Sequence, residues 1–180
     1  WLLPKYDTYG EWPRSGEIDV VEARGNNPGE VSSALHWGED WTTDAYKLAH
    51  KYIKQNPSDF HIYGLYWDKE RLYTYLDDPN NIIMDFSCKV SPITQAGLDH
   101  NKWNVFNDTC VPFNHEMYLI INLAVGGTTG YFKDSVGKPW KDTEGASYQF
   151  YQSINKWHPT WKRGLEVRDI KVWQNKSCDN

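Results

Sequence analysis

The stretch SGEIDVVEARGN, residues 15–26, places three carboxylates in a segment that otherwise reads as a β-strand. Strand side chains alternate between the two faces of a sheet, so Glu17 and Asp19 share one face. Glu22 lies five positions after Glu17 and therefore belongs on the opposite face. An ionised acid on the apolar face of a β core carries a large desolvation cost. We therefore do not expect this segment to form a regular strand, because one ionised acid would then lie on the apolar face.

A β-bulge at Val20 and Val21 removes the conflict. One extra residue resets the alternation, so all three acids leave one face while Ile18 serves the other. With one residue bulged, the two glutamates are effectively four positions apart, and on an unbent strand their Cα atoms would lie about 13 Å apart at ~3.3 Å per residue. A bend and two long side chains can bring the carboxyl groups much closer, and a separation of about 5 to 5.5 Å is the one at which paired carboxylates act in retaining glycosidases. The alternative, a solvated acidic edge strand, explains the charges but not three aligned acids beside Ile and Val.

The remainder of the chain carries mostly β signals. Short segments rich in aromatic and branched residues alternate with Gly, Asp, Asn and Pro, whereas helical periodicity is poor. We predict an all-β fold, an antiparallel sandwich or barrel. The predicted strands include 31–38, 60–68, 71–78, 117–127 and 165–174, with a hairpin over 66–78; helical turns are expected within 45–55 and 145–157, and irregular segments at 79–112 and 126–145.

Length and charge exclude several classes of protein. The 180 residues suit one domain, and we find no internal repeat or interdomain linker. The net charge of −5 argues against nucleic acid and anionic membrane surfaces as partners. The longest apolar stretch, MYLIINLAV, is far shorter than the roughly 18 residues of a membrane span. The 10 Trp and 12 Tyr suit both a β core and a wet, flat-faced binding site.

Features of secreted proteins are also present. Of the three cysteines, Cys88 and Cys110 are the favoured pair because both flank one irregular segment, which leaves Cys178 over. Two Asn-x-Ser/Thr sequons begin at Asn107 and Asn175. The chain starts at a tryptophan with no initiator Met or signal peptide, so we interpret it as processed or partial. We expect an extracellular glycoprotein.

The segment WLLPKYDTYGEWPRSGEIDVVEARGN resembles the active-site region of glycoside hydrolase family 16, in its laminarinase-like branch, whose signature is Glu-x-Asp-x-x-Glu. FHIYGLYWDKERLYTYLDD, MYLIINLAVGGTTGYF, GKPW, HPTW and DIKVWQ resemble that branch in the expected order, over nearly the whole chain. The resemblance extends to invertebrate endo-1,3-β-glucanases and to the β-1,3-glucan recognition proteins related to them.

This resemblance implies a concanavalin A-like jelly roll with a long open cleft, spanning residues 1–175 before a tail at 176–180. The strands that precede WLLP in the family are absent from this chain. By position, Glu17 resembles the nucleophile and Glu22 the acid/base, while Asp19 resembles the acid that tunes Glu17. Three neighbouring carboxylates cannot all ionise cheaply, so one should hold a proton near neutral pH. The resemblance assigns that proton to Glu22.

Substrate contacts are expected from five further residues. His36 corresponds to a cleft histidine of laminarinases, with an ordinary half-buried strand histidine as the alternative. Asn122 lies in an apolar run, where its amide needs either a sugar hydroxyl or an internal partner. Trp12, Trp1 and Trp140 are candidate stacking platforms, with core or rim packing as the alternative.

Two functions remain open at the level of sequence. One is retaining endo-hydrolysis of β-1,3-glucan or mixed-linkage β-glucan. The other is β-1,3-glucan recognition in innate immunity, with an immune signalling partner and little or no hydrolysis. The presence of both Glu17 and Glu22 favours hydrolysis. No catalytic cofactor is expected, but the family resemblance makes Asp169 a candidate ligand for a structural calcium.

Overall fold

The computed structural model describes residues 1–104, 109–133, 137–159 and 164–174. The chain divides into two compact units, Trp1–Ile121 and Asn122–Asn180. Its regular structure is mostly antiparallel β, as the sequence predicts. No helix in the described ranges combines the length and the apolar content that crossing a membrane requires.

The described residues of the first unit form eight strands. A five-stranded antiparallel sheet has the order β4-β3-β2-β1-β8, and a three-stranded antiparallel sheet has the order β5-β6-β7. The strands are β1 (Leu2–Pro4), β2 (Glu17–Ala23), β3 (Glu30–His36), β4 (His50–Lys54), β5 (Tyr63–Trp67), β6 (Arg71–Leu76), β7 (Ile82–Ser87) and β8 (Met117–Leu119).

The two sheets share one apolar core. Ile18 of β2 and Leu35 of β3 belong to the same buried cluster as Leu72 of β6 and Met84 of β7. Alternation on β6 explains its contribution, because its even-numbered residues are buried and its odd-numbered ones lie on the outer face. This arrangement is a β-sandwich, and the predicted 66–78 hairpin is its β5–β6 pair.

The predicted cysteine pair forms. Cys88, directly after β7, is bonded to Cys110, and both residues are fully buried in the main core. Cys178 and the sequon residues Asn107 and Asn175 lie outside the described residues. The predicted tail at 176–180 also lies outside them.

The helical turn predicted within 45–55 is present as the 3-10 turn Tyr46–Ala49, but the residues that follow it form the edge strand β4, which was not predicted. The lysine-rich sequence favours a helix locally, but β3 offers a strand edge on which Ile53 pairs with Val31. The segment 79–112 is not irregular throughout, because β7 lies within it and buries Ile83, Met84 and Phe86.

The predicted strands at 117–127 and 165–174 are also corrected. The pairing of β8 with β1 extends only to Ile120 and Trp1, which exchange two backbone hydrogen bonds. Residues 121–127 and the described part of 165–174 belong to no strand that the structure describes. Strand propensity alone is insufficient there, because a strand is stable only against a paired neighbour. The described residues also form α1 (Pro92–Gln95) in the first unit, and α2 (Ala146–Gln152) and α3 (Ile154–Trp157) in the second unit confirm the helical turns predicted within 145–157.

Candidate active site

The predicted bulge is present in β2. Asp19 pairs with Ala34 and Glu22 pairs with Ser32, so Val20 and Val21 together oppose the single residue Ser33. The hydroxyl of Ser33 is fully buried and donates a 2.6 Å hydrogen bond to the carbonyl oxygen of Val20. The neighbouring strand therefore satisfies a backbone acceptor that the interrupted ladder would otherwise leave unused.

The bulge places the three acids on one face of the sheet. Their partners on β3 are His36 for Glu17, Ala34 for Asp19 and Ser32 for Glu22. These partners are alternate residues of one strand and hence share a face. The sequence prediction of three aligned acids is therefore confirmed, although their individual roles remain predictions.

Glu17 forms two side-chain hydrogen bonds, and its pKa is raised by its surroundings. The indole Nε1–H of Trp12 donates to Oε2 of Glu17, and a side-chain hydrogen bond joins Glu17 to Asp19. Burial and the neighbouring charge of Asp19 raise the pKa of Glu17 to about 7, although His36 and the Trp12 hydrogen bond act in the opposite direction. A carboxyl group with this pKa changes its protonation state near neutral pH.

Glu22 experiences a similar environment on the other side of the bulge. Burial and the charge of Asp19 raise its pKa to about 7, while His36, Arg24 and a hydrogen bond with Ser32 oppose the rise. The site thus holds two glutamates that can exchange protons near neutral pH, as acid/base chemistry requires. The similar pKa values do not by themselves assign the proton to Glu22.

His36 lies between two carboxylates. Its Nε2 is 3.1 Å from Oδ2 of Asp19, and its Nδ1 is 2.6 Å from Oδ2 of Asp44. Burial of the ring disfavours its charge, but the hydrogen bonds to both aspartates outweigh burial and raise the pKa of His36 to about 10. The ring of Tyr46 stacks on the imidazole, with centroids 5.3 Å apart. Asp44 was missed from sequence, because a lone Asp in a polar loop carries no distinguishing motif.

Glu17, Asp19 and His36 also meet the spacing of a small metal site, since one ligand atom from each lies within 4.8 Å of the others. However, both ring nitrogens of His36 already contact carboxylate oxygens. A protonated imidazole has no lone pair for a metal. We therefore assign no metal ion to this cluster.

An open cavity of about 340 Å³ lies beside Glu17. Its lining includes Trp1, Trp12 and Tyr118 together with Glu17. Two of the predicted stacking platforms, Trp1 and Trp12, therefore line the same cavity as Glu17, and Trp12 is 45% exposed. Flat aromatic rings next to a carboxyl group suit a sugar ring.

The other three predicted residues belong to the second unit. Asn122 and Asp169 are exposed, and Asp169 adopts a left-handed backbone conformation with φ of 52°. Trp140 donates its Nε1–H to the carbonyl of Gly127 and packs edge-on against Phe132 and Phe150. These contacts suit the packing alternative for Trp140. Substrate binding by Asn122 and calcium binding by Asp169 remain predictions.

Comparison with known proteins identifies the family. The model of "Glycosyl hydrolases family 16" matches residues 4–86, a range that contains all three acids. A β-1,3-glucan-binding protein of Penaeus monodon is 32% identical over 99% of this chain and 55% of its own length. A glucan endo-1,3-β-glucosidase of Cryptopygus antarcticus is 32% identical over 96% of this chain and 54% of its own.

A solved structure agrees with these relatives. The laminarinase from Rhodothermus marinus superposes with a TM-score of 0.52 at 30% identity, over 72% of this chain and 48% of that enzyme. The chain spans about half the length of the proteins that it matches. From the match of sequence, fold and acid signature, the chain carries a domain of glycoside hydrolase family 16.

Proposed function

We propose that this protein is a retaining endo-glycosidase that cleaves β-1,3-glucan of the laminarin type, with mixed-linkage β-glucan as the alternative substrate. The observation that supports the proposal is the bulged strand β2, which puts Glu17, Asp19 and Glu22 on one face. Both glutamates have pKa values raised to about 7 by burial and by the charge of Asp19. A retaining mechanism needs one protonated and one ionised carboxyl group on one substrate.

The proposed reaction has two steps. Ionised Glu17 attacks the anomeric carbon and forms a glycosyl ester, while Glu22 gives its proton to the departing glycosidic oxygen. Glu22 then takes a proton from water, whose oxygen displaces Glu17 from the anomeric carbon and restores both groups. The indole N–H of Trp12 donates to the carboxylate of Glu17 and favours its ionised form.

The disulfide bears on the compartment in which the protein acts. The Cys88–Cys110 disulfide is typical of oxidising compartments, so we propose that the protein acts outside the cell. The mechanism requires no cofactor, and a structural calcium at Asp169 is a separate proposal.

A second candidate function is glucan recognition without appreciable hydrolysis. It is favoured by the Penaeus monodon relative, which is named for glucan binding and matches almost the whole chain. In that case the aromatic cavity beside Glu17 would hold the polysaccharide, and an immune signalling protein would be the partner. The two candidates differ in whether Glu17 and Glu22 break bonds.

A reducing-end assay on laminarin separates them. The protein is expected to release reducing ends, and Glu17→Gln is expected to abolish the release. Glu70→Gln is the matched control, because Glu70 is an exposed acid of the β5–β6 turn. Glu22→Gln should still bind laminari-oligosaccharides within about tenfold in titration calorimetry, equivalent to about 1.4 kcal/mol. Binding by the wild type with no hydrolysis at any pH would support recognition instead.

Anion rescue tests the assigned roles. Glu17→Ala should regain part of its activity with azide or formate, and the product should have inverted stereochemistry because the anion attacks from the vacated nucleophile position. Rescue that gives a product of retained configuration would reverse the roles of the two glutamates.

A further inference from the structure

The loop after β3 brings an acid back to the reaction centre. Asp40 accepts hydrogen bonds from the backbone N–H and the hydroxyl of Thr42, at 2.8 and 2.6 Å. Beyond this turn, the N–H of Ala45 donates to the carbonyl of Trp37 at 2.8 Å. The loop is thereby closed on itself, and Asp44 lies beside His36, eight positions earlier in the chain.

The carboxylate of Asp44 is fixed through both oxygens. Its Oδ2 lies 2.6 Å from Nδ1 of His36, and its Oδ1 accepts a 3.2 Å hydrogen bond from the backbone N–H of Tyr46. The side chain of Asp44 is only 10% exposed. Asp44 therefore cannot turn away from His36 without losing a backbone hydrogen bond.

The hydrogen-bond partners of the His36 ring determine its protonation state. Each nitrogen of His36 faces a carboxylate oxygen, one from Asp44 and one from Asp19. An ionised carboxylate only accepts hydrogen bonds, so both nitrogens must donate, and an imidazole with two N–H groups is a cation. The face of the Tyr46 ring, which carries negative π density, stacks on that cation.

We propose that Asp44 is a positioning residue of the active site, which orients His36 and keeps it cationic against Asp19. The inference rests on the proposed hydrolysis for its catalytic consequence, but not for the state of the ring. The His36 cation attracts the ionised forms of Glu17 and Glu22 and so offsets the repulsion from Asp19. Asp44 thereby acts on both glutamates without touching the substrate.

The charged and titratable groups around His36 come from every element packed against it. Asp44 faces the His36 ring from the loop, and Tyr46 faces it from the 3-10 turn. Strand β4 contributes His50, whose pKa is lowered by burial and by the charge of His36. The groups on β2 and β4 are Glu17, Asp19, Glu22 and His50. In this set, Asp44 is the acid that contacts His36 on the side away from the three β2 acids.

The first test uses the unmodified protein. Nitrogen-15 NMR of histidine-labelled protein should show His36 with both nitrogens protonated at pH 7.5. A neutral His36 at that pH would overturn the proposal, whether or not the protein hydrolyses glucan.

The second test compares Asp44→Asn with Asp40→Asn. The Asn variant retains an oxygen for the Tyr46 N–H but presents an NH2 group to Nδ1 of His36, which forces Nδ1 to accept. The titration of His36 should then fall from about 10 by on the order of 3 pH units, so that the ring is largely neutral at pH 7.5 with its proton on Nε2. Asp40→Asn alters the same loop without touching His36 and should leave the titration in place.

Catalysis supplies the third readout. Loss of the His36 cation raises the pKa of both glutamates, so both limbs of the kcat/KM pH profile should move to higher pH in Asp44→Asn, by about 1 unit. A merely structural role would lower kcat/KM without moving the limbs, and that result would overturn the proposal. Asp44→Asn should also have no further effect in a His36→Gln background. If laminarin hydrolysis is absent altogether, the NMR tests still decide the role of Asp44.

Discussion

The hydroxyl of Ser33 and the carbonyl of Val20 form a 2.6 Å hydrogen bond at the point where β2 carries its extra residue. Ser33 is fully buried, so this bond is shielded from water. Glu17 and Glu22 lie on one face because of the bulge, and this hydrogen bond stabilises the bulge.

Ser33→Ala should destabilise the protein by about 1–3 kcal/mol, because the Val20 carbonyl loses a buried donor. We expect the free energy of urea unfolding to fall and kcat/KM on laminarin to fall with it. Ser58→Ala, at an exposed position, is the control. Unchanged stability in Ser33→Ala would mean that the bulge does not need the serine.

Trp12→Phe should move the acidic limb of the activity profile to higher pH. The indole hydrogen bond lowers the pKa of Glu17, so its removal raises that pKa above about 7 and leaves less ionised nucleophile at any given pH. The measurement is kcat/KM between pH 4 and 9. Trp41→Phe, at a tryptophan that is 76% exposed, should leave the profile unchanged. An unshifted limb in Trp12→Phe would show that the hydrogen bond does not tune Glu17.

Glu17→Gln should stabilise the folded protein at alkaline pH. The pKa of Glu17 rises from 4.5 in its ordinary state to about 7 in the fold, so the folded state binds the proton more tightly and loses stability as pH rises from 4.5 to 7. The full loss, up to about 3 kcal/mol, is present above pH 7. Gln carries no charge and avoids this cost.

The corresponding measurement is thermal or urea unfolding of Glu17→Gln and wild type at several pH values. The difference should be near zero below pH 4.5 and should grow through pH 7. Glu70→Gln, at an exposed acid, is the control for removal of a surface charge. A difference that does not change with pH would argue that Glu17 is not desolvated.

Replacement of Cys88 and Cys110 by Ser should lower the free energy of unfolding by about 3 kcal/mol, because the bridge closes a loop of 22 residues. Both sulfurs are buried in the core beside β7. The double variant and the wild type should become equally stable under reducing conditions. Equal stability under oxidising conditions would contradict a stabilising role for the bridge.

The bulge and the three acids could be predicted from sequence because the conflict between a two-residue period and the Glu17–Glu22 spacing has few solutions. The β5–β6 hairpin was similarly clear, since alternation on both strands agreed with a short turn. The buried Ile83, Met84 and Phe86 of β7 were overlooked, although the IIMDF run was the available signal.

Other features depended on contacts that local sequence does not encode. β4 forms because β3 offers it an edge, although the lysine-rich segment favours a helical turn by itself. Asp44 became part of the site only because the loop closes on Trp37 and returns toward His36. No sequence motif marks Asp44, so only the fold could identify it as a neighbour of the reaction centre.

The bulge is required only because the spacing between Glu17 and Glu22 is an odd number of residues. Deletion of either Val20 or Val21 would remove a single apolar residue and leave every acid in the sequence. The shortened strand could pair with β3 as a regular ladder, and the acid of Glu22 would then lie four positions after Glu17, on the same face as Glu17 and Asp19. In a comparison of related sequences, a one-residue gap between Asp19 and Glu22 would therefore identify a chain that aligns the same three acids on a regular strand, without a bulge.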